Sequence, residues 1–424
     1  MKKKVIYISF ISFFLVTIIF YEEIYNKLPW KMKTVILSIL NNDKTSKKIL
    51  NDRKTKFLPE TQLLNLEYSK LTLDQINIIE FEVAHGMYGT KYKSFYLEHI
   101  GELIFLITRT GELFSFNLQD KKIKNLKKFE TNFDKKRERV LNFHLTQKNI
   151  YLAVAKMKNE NCEVMELRAS KYNNEIKAKF DKIIQFDECL NPDQAGAGAL
   201  SSFTQNGKEK ILFSTPDYEK LNLNQSANIT QAQNEKSPFG KILLVDPEEK
   251  SYKIYSSGHR VILGIYSDIN GDTIIATENG PFGGDEINLI KYKNNYGWNI
   301  SSYGEMYGAY VYSPLNPTAD KSHSKNNFSE PLFSWVPSIA PSSLIKLDNN
   351  FSPFWQDNYL MGSLVYSHLI RLKFDDNMNR LILQEPMYVG ERIRDLIYLK
   401  ESKTILLALE TSGSIGIINN NIDQ

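Results

Sequence analysis

From residue 76 onward the chain alternates short apolar runs, rich in β-branched and aromatic residues, with clusters of Gly, Asn, Asp and Pro. That is the rhythm of strands and turns, not of helices. Six pairs of runs stand out: 103–108 with 113–118, 150–155 with 162–167, 211–214 with 241–245, 273–277 with 287–292, 359–364 with 369–374, and 405–409 with 414–418. Arg109-Thr110-Gly111-Glu112 joins the first pair as a hairpin connection. The pairs recur at roughly 45 to 85 residues, the order expected of propeller blades with insertions. An all-β, six-bladed β-propeller is the economical reading, with a β-sandwich as the alternative. No amphipathic helices alternate with the strands, which disfavours an α/β sheet. The long inserts 215–238 and 299–335 read as loops on one face, where such folds place their sites.

The N-terminus breaks this rhythm. Lys2, Lys3 and Lys4 precede an uncharged, almost wholly apolar run at 5–21, followed by Glu22 and Glu23. Its length is near the lower limit for crossing a hydrocarbon core of ~30 Å. A cleavage site needs small residues, and the run ends on Ile18, Ile19, Phe20 and Tyr21. Residues 1–21 therefore read as a cytoplasmic tip and transmembrane signal anchor, with a cleaved secretory signal as the alternative. The lysine cluster holds the N-terminus in the cytoplasm and puts the rest on the periplasmic or extracellular side. Residues 22–75, rich in Lys and Asn and punctuated by Pro29 and Pro59, read as a short stalk, leaving 76–424 for the propeller.

Charge sharpens the division. The net charge is +4, yet residues 1–60 hold 12 Lys/Arg against 5 Asp/Glu, so the remainder is mildly acidic. A nucleic-acid binder carries its positive charge on the folded domain, so that class is excluded. The basic segment either solvates the stalk or touches anionic lipid headgroups. The two cysteines, Cys162 and Cys189, have neither metal-ligand nor redox spacing; one disulfide or two core thiols both remain open.

The strongest local signal is Glu278-Asn279-Gly280-Pro281-Phe282-Gly283-Gly284-Asp285-Glu286-Ile287-Asn288, followed by Asn295-Tyr296-Gly297-Trp298. Glycines allow a tight turn that presents carbonyl oxygens, and Asp285 and Glu286 add carboxylates; such hard oxygen donors suit Ca²⁺. A plain strand connection has the same composition. Taken with Gly258-His259-Arg260 upstream, and with Pro337-Ser338-Ile339-Ala340-Pro341-Ser342, Gly362-Ser363-Leu364 and Gly390-Glu391-Arg392-Ile393-Arg394-Asp395 downstream, the order resembles the signature of the soluble quinoprotein glucose/sorbosone dehydrogenases, the PQQ-dependent aldose sugar dehydrogenases. The likeness covers roughly residues 76–424 and is strongest from Gly240 onward.

The resemblance implies a six-bladed propeller, a PQQ cofactor, Ca²⁺, a sugar substrate and an external electron acceptor. PQQ carries three carboxylates, so its pocket needs fixed cations. Arg260, Arg392 and Arg394 match family arginines that face it. The carbonyls of Gly280 and Pro281 match those that hold a Ca²⁺ acting as Lewis acid. Glu286 and Tyr296 match positions linked to a structural Ca²⁺.

Three departures follow from the same alignment. The family base is a His, and its position here is Ala195, which accepts no proton. A cofactor-touching amide after Gly-His-Arg is replaced by Val261, and a cofactor-facing Lys by Val365. His85, His99, His144, His323 and His368 are candidates to stand in as base, although each alone is more often structural. Loss of a positioned base typically costs 10²- to 10⁴-fold. Two expectations thus stand together: a membrane-anchored PQQ sugar dehydrogenase with altered chemistry, or a non-catalytic binding or scaffold propeller that kept the fold and a calcium site. A Ca²⁺-dependent lactone or ester hydrolase ranks behind both for want of a recognised base.

Overall fold

The computed structural model describes residues 61–65, 70–77, 92–159, 162–172, 177–190, 197–217, 231–281, 283–304 and 323–420. The chain is all-β. Helical structure among these residues is confined to three single 3₁₀ turns, at Gln231–Gln233, Ser324–Asn326 and Pro353–Trp355. No helix among them is long and apolar enough to cross a membrane, and the run at 5–21 lies outside them.

Strands assemble into six sheets of four or five. Their innermost strands are, in order, Phe95–Ile100, Glu138–Leu145, Leu200–Gln205, Ile262–Ser267, Pro341–Lys346 and Ile393–Leu399. Each lies beside the next, and the last returns to the first, closing a ring. Six buried apolar clusters fill the spaces between successive sheets; Leu141, Tyr151 and Met165 meet Phe213, Leu243 and Val245 in one of them. Radial sheets sharing faces around a ring make a β-propeller, because every sheet then buries both faces.

Every run pair read from the sequence is a real antiparallel neighbour pair, and each belongs to a different sheet. These are the second and third strands, buried on both sides and so apolar along their length. Leu103–Thr108 and Thr404–Leu409 show this most plainly. The insert at 299–335 is not loop throughout, since Phe333–Trp335 pairs with Asp285–Leu289 as an outermost strand.

One boundary read from the sequence is corrected. The strands Thr61–Asn65 and Lys70–Asn77 fall in the segment assigned to the stalk, yet Lys70–Asn77 pairs with Ser414–Asn420 along seven residues and completes the last sheet. Leu71 and Leu73 are buried among Leu369, Leu407 and Ile418. The alternation Leu71-Thr72-Leu73-Asp74 is that of a half-buried strand, masked by the polar surroundings. Contacts accordingly divide the chain after Lys56.

Cys162 and Cys189 form a disulfide across Cys162–Lys171 and Asp181–Leu190, two antiparallel strands of one sheet. The bridge resolves the alternative left by the sequence. Closing a loop of this size restricts the unfolded chain by about 3 kcal/mol.

Candidate functional site

The end of the ring where the innermost strands begin and the second strands finish carries the motif residues. Arg392 and Arg394 sit two apart around the start of Ile393–Leu399, so both project to one face. Both reach Glu410, which follows the wholly apolar strand Thr404–Leu409: Arg392 Nε donates to its Oε1 at 2.6 Å and Arg394 Nε to its Oε2 at 2.7 Å. Ser94 Oγ adds a third donor at 2.8 Å. Glu410 is fully buried, and although burial alone raises a carboxyl, the two arginines hold this one down at about 2. The pair shares one negative charge and retains a cation of surplus. Arg109 lies in the same field, held below the usual arginine range by burial beside Arg139 and Arg394.

Arg260 stands elsewhere on the rim. Its guanidinium donates to the carbonyls of Asn279 and Gly280, both at 2.9 Å, and its Cζ lies 5.3 Å from the Trp298 ring. Glu278 fixes the backbone beneath it, accepting from the Arg260 amide and bonding His259 Nδ1 at 3.0 Å. His259 is buried and stacked on Tyr296, which makes it scaffold.

Asp285 connects the two groups. One oxygen accepts from the Gly280 amide; the other accepts from Ser338 Oγ and from the amides of Ile339 and Ala340. The Ala340 carbonyl then accepts from Leu364 N, and the Leu364 carbonyl from Arg392 Nη1. A continuous hydrogen-bonded belt therefore runs from Arg260 through Asp285 to Arg392. Burial pushes Asp285 above the usual carboxylate range against those four donors. Sequence reading placed Asp285 as a possible metal oxygen, whereas here it orders the rim. Replacing Asp285 by Ala strands three backbone donors, so the variant is expected to lose about 3 kcal/mol or more, read as a lowered urea midpoint.

The metal candidates form two sets, the carbonyls of Gly280 and Pro281 and the side chains of Glu286 and Tyr296. Among the described residues no group of three or more His, Cys, Asp or Glu converges on a metal position. The Gly280 carbonyl already faces Arg260, and Pro281 is buried in the same turn. Glu286 is buried across the ladder from Glu278, and burial with that neighbouring charge raises its carboxyl well above the usual range. Asn288 Nδ2 donates to it at 3.1 Å, His323 Nε2 lies 3.5 Å away, and Asn288 Oδ1 is buried with no hydrogen-bond partner among the described residues. The Tyr296 hydroxyl is committed, donating to the Leu289 carbonyl and accepting from Lys291 N.

Ala195 and His85 lie outside the described residues. Val365 is half exposed, and the Val261 carbonyl accepts from Asn279 N. Of the other histidines, His99 bonds the Gly101 carbonyl, His323 bonds Ser301, and His368 stacks on Tyr366. His144 lies further along its innermost strand, bonded to Glu98 and Ser202. Glu410 was not read from the sequence; an acidic residue closing the run Thr-Ile-Leu-Leu-Ala-Leu was its signal.

A family model described as glucose / sorbosone dehydrogenase matches residues 93–417. Among curated proteins, slr1608 of Synechocystis is 31% identical over 198 residues, 44% of this chain and 46% of that one. Aldose sugar dehydrogenase YliI of Escherichia coli is 27% identical over 167 residues, covering 38% and 43%, and quinoprotein glucose dehydrogenase B of Acinetobacter calcoaceticus 26% over 224 residues, covering 40% and 46%. The matched part thus spans less than half the length of these relatives. Among solved structures, a glucose dehydrogenase superposes with a TM-score of 0.64 at 19% identity, covering 77% of this chain and 95% of that one. The soluble aldose sugar dehydrogenase of Escherichia coli gives 0.63 at 16%, covering 83% and 99%. Those identities speak for the fold alone, but the family model runs from just before the first innermost strand almost to the end of the last sheet: the chain belongs to the glucose/sorbosone dehydrogenase family.

Proposed function

We propose that this protein is a membrane-anchored, six-bladed propeller that binds PQQ on its arginine rim and oxidises an aldose slowly, with the domain on the periplasmic or extracellular side. The observation that carries the reading is the pairing of Arg392 and Arg394 on one buried carboxylate, which leaves guanidinium donors and a net positive charge at the rim. The buried Arg260 Nε, without a hydrogen-bond partner among the described residues, suits an anionic ligand as well. Relatives named as quinoprotein glucose dehydrogenase and aldose sugar dehydrogenase support the substrate class. The disulfide supports an oxidising compartment, in keeping with an anchor at 5–21 that leaves the cytoplasm behind.

In this reading Arg260, Arg392 and Arg394 hold the cofactor carboxylates, and Asp285 keeps the two ends of the rim in register. PQQ, when bound, supplies the quinone that takes up the two electrons of the sugar. The candidate Ca²⁺ donors in this reading are the Glu286 carboxylate, bonded by Asn288 Nδ2 while Asn288 Oδ1 has no hydrogen-bond partner among the described residues, and, as a second set, the carbonyls of Gly280 and Pro281. With Ala195 at the base position, removal of the sugar hydroxyl proton is left to solvent, and Val365 leaves the pocket one cation poorer. Both changes lower turnover without abolishing cofactor binding.

The testing experiment is a titration of the purified domain with PQQ and Ca²⁺, followed by absorbance, dye reduction with glucose, and thermal unfolding. Saturable PQQ binding is expected, with turnover well below the ordinary ~10 s⁻¹. Ca²⁺ at a hundredfold excess over its Kd is expected to stabilise the fold by about 2.7 kcal/mol. Absence of PQQ binding would support instead the second reading, a binding or scaffold propeller, which the half-exposed Val365 favours. Melting curves identical in chelator and in Ca²⁺ would remove the metal.

A further inference from the structure

Three adjacent innermost strands bring together side chains that the rim does not use. Glu98 on Phe95–Ile100, His144 on Glu138–Leu145 and Ser202 on Leu200–Gln205 form a linear chain: Ser202 Oγ lies 2.8 Å from His144 Nε2, and His144 Nδ1 lies 2.7 Å from Glu98 Oε1. His144 and Ser202 each alternate with buried neighbours, Phe143 and Leu145 for the one and Ser201 and Phe203 for the other, so both project from the inner strands, where Glu98 bonds to His144. The same Glu98 oxygen also accepts from Leu145 N at 3.4 Å, which fixes the carboxylate from a second side. The His144 and Glu98 side chains keep 16% and 20% of their exposure, so they are not sealed from solvent.

The order of atoms matters more than the residue types. Where Glu98 accepts as a carboxylate, the His144 tautomer with its proton on Nδ1 leaves Nε2 to accept from the serine hydroxyl. That is the arrangement of a nucleophile, a base and a group that orients the base, which recurs on unrelated folds. The register also separates it from the rim. Glu98 pairs with Phe105 and His144 with Tyr151, both close to the hairpin turns at the far ends of those strands from Arg392 and Glu410.

We infer that Ser202 is an activated nucleophile for acyl transfer, with carboxylic esters of small acids as its substrate class. Ser202 Oγ bonds to the acyl carbon as its proton passes to His144 Nε2. The bond from that carbon to the alcohol oxygen breaks, and the alcohol leaves with the proton. Water then adds to the acyl carbon, giving a proton to His144 Nε2; the bond from that carbon to Ser202 Oγ breaks, the proton passes from His144 to Oγ, and the carboxylic acid is released. Glu98 holds the tautomer throughout. This site is independent of PQQ and of Ca²⁺.

The test treats the folded protein with a fluorophosphonate probe and maps the adduct by peptide mass spectrometry, alongside release of p-nitrophenol from p-nitrophenyl acetate. One adduct at Ser202 is expected, with none in Ser202→Ala and a rate at least about 100-fold lower in His144→Gln, the usual worth of a positioned base. Circular dichroism and melting of both variants establish that they are folded. Because the adduct is mapped on the unaltered protein, the result does not depend on either variant surviving. A folded wild-type protein with no adduct at Ser202, or ester cleavage unchanged in Ser202→Ala, would overturn the inference and leave the three residues as a structural hydrogen-bond chain.

Discussion

A chain lacking residues 1–75 is expected to unfold or to lose more than about 4 kcal/mol, whereas one lacking 1–56 is expected to melt like the full domain. The difference lies in Lys70–Asn77. Removing most of that strand exposes the ladder edge of Ser414–Asn420 and takes Leu71 and Leu73 out of the cluster they share with Trp355, Leu396 and Ile405. Buried leucines truncated to alanine cost about 2–5 kcal/mol each, and here two are lost with their backbone. The bare edge is also a template for association between chains. Thermal unfolding by circular dichroism, with size-exclusion chromatography, separates the outcomes. Equal melting of the chains beginning at 57 and at 76 would mean that the ring closes without this strand.

Replacement of Glu410 by Ala is expected to cost about 3–5 kcal/mol, because it leaves two guanidiniums in a buried site with no counter-charge. The effect carries a pH signature. A carboxyl held at about 2 in the folded state binds fewer protons there than in the unfolded chain, so its stabilisation is complete above the ordinary carboxylate range. It is worth about 3 kcal/mol at neutral pH and fades as pH falls from about 5 through 2. The gap in unfolding free energy between wild type and Glu410→Gln is therefore expected to narrow steadily over that interval. Asp395, pushed up to about 6 by burial, runs the other way: its contribution falls as pH rises through about 4 to 6. A gap that does not change with pH would mean the two arginines do not rest on Glu410.

What could be read from the sequence follows from where each strand sits. The second and third strands of each sheet are covered on both faces, so Leu103–Thr108 or Thr404–Leu409 announce themselves as apolar runs. Innermost strands such as Glu138–Leu145 carry polar residues toward the ring axis, and outermost strands such as Leu381–Tyr388 are largely exposed. Neither kind has an apolar run to find. The closing strand is hidden for a further reason, that its partner, Ser414–Asn420, lies hundreds of positions further along the chain. At the site, motif order singles out the arginines, but the carboxylate that Arg392 and Arg394 share lies outside the motif that contains them. Asp285 was visible as an acidic residue in a glycine-rich turn. That its work is to accept four hydrogen bonds from 280 and 338–340 depends on two loops meeting, which no local pattern records.

The ring closes by joining an early segment of the chain to a late one: Gln75 Nε2 reaches Ser412 Oγ across 337 positions. Because a chain is made from its N-terminus at about 5–20 residues per second, the strand Lys70–Asn77 exists for roughly 20–70 s before its partner has been synthesised. Five sheets can be assembled in that interval, but the sixth cannot. The newborn protein therefore passes through a stage with Leu71, Leu73 and an open strand edge uncovered, and a chaperone that shields such edges has its period of greatest use at that stage, ending when Ser414–Asn420 arrives.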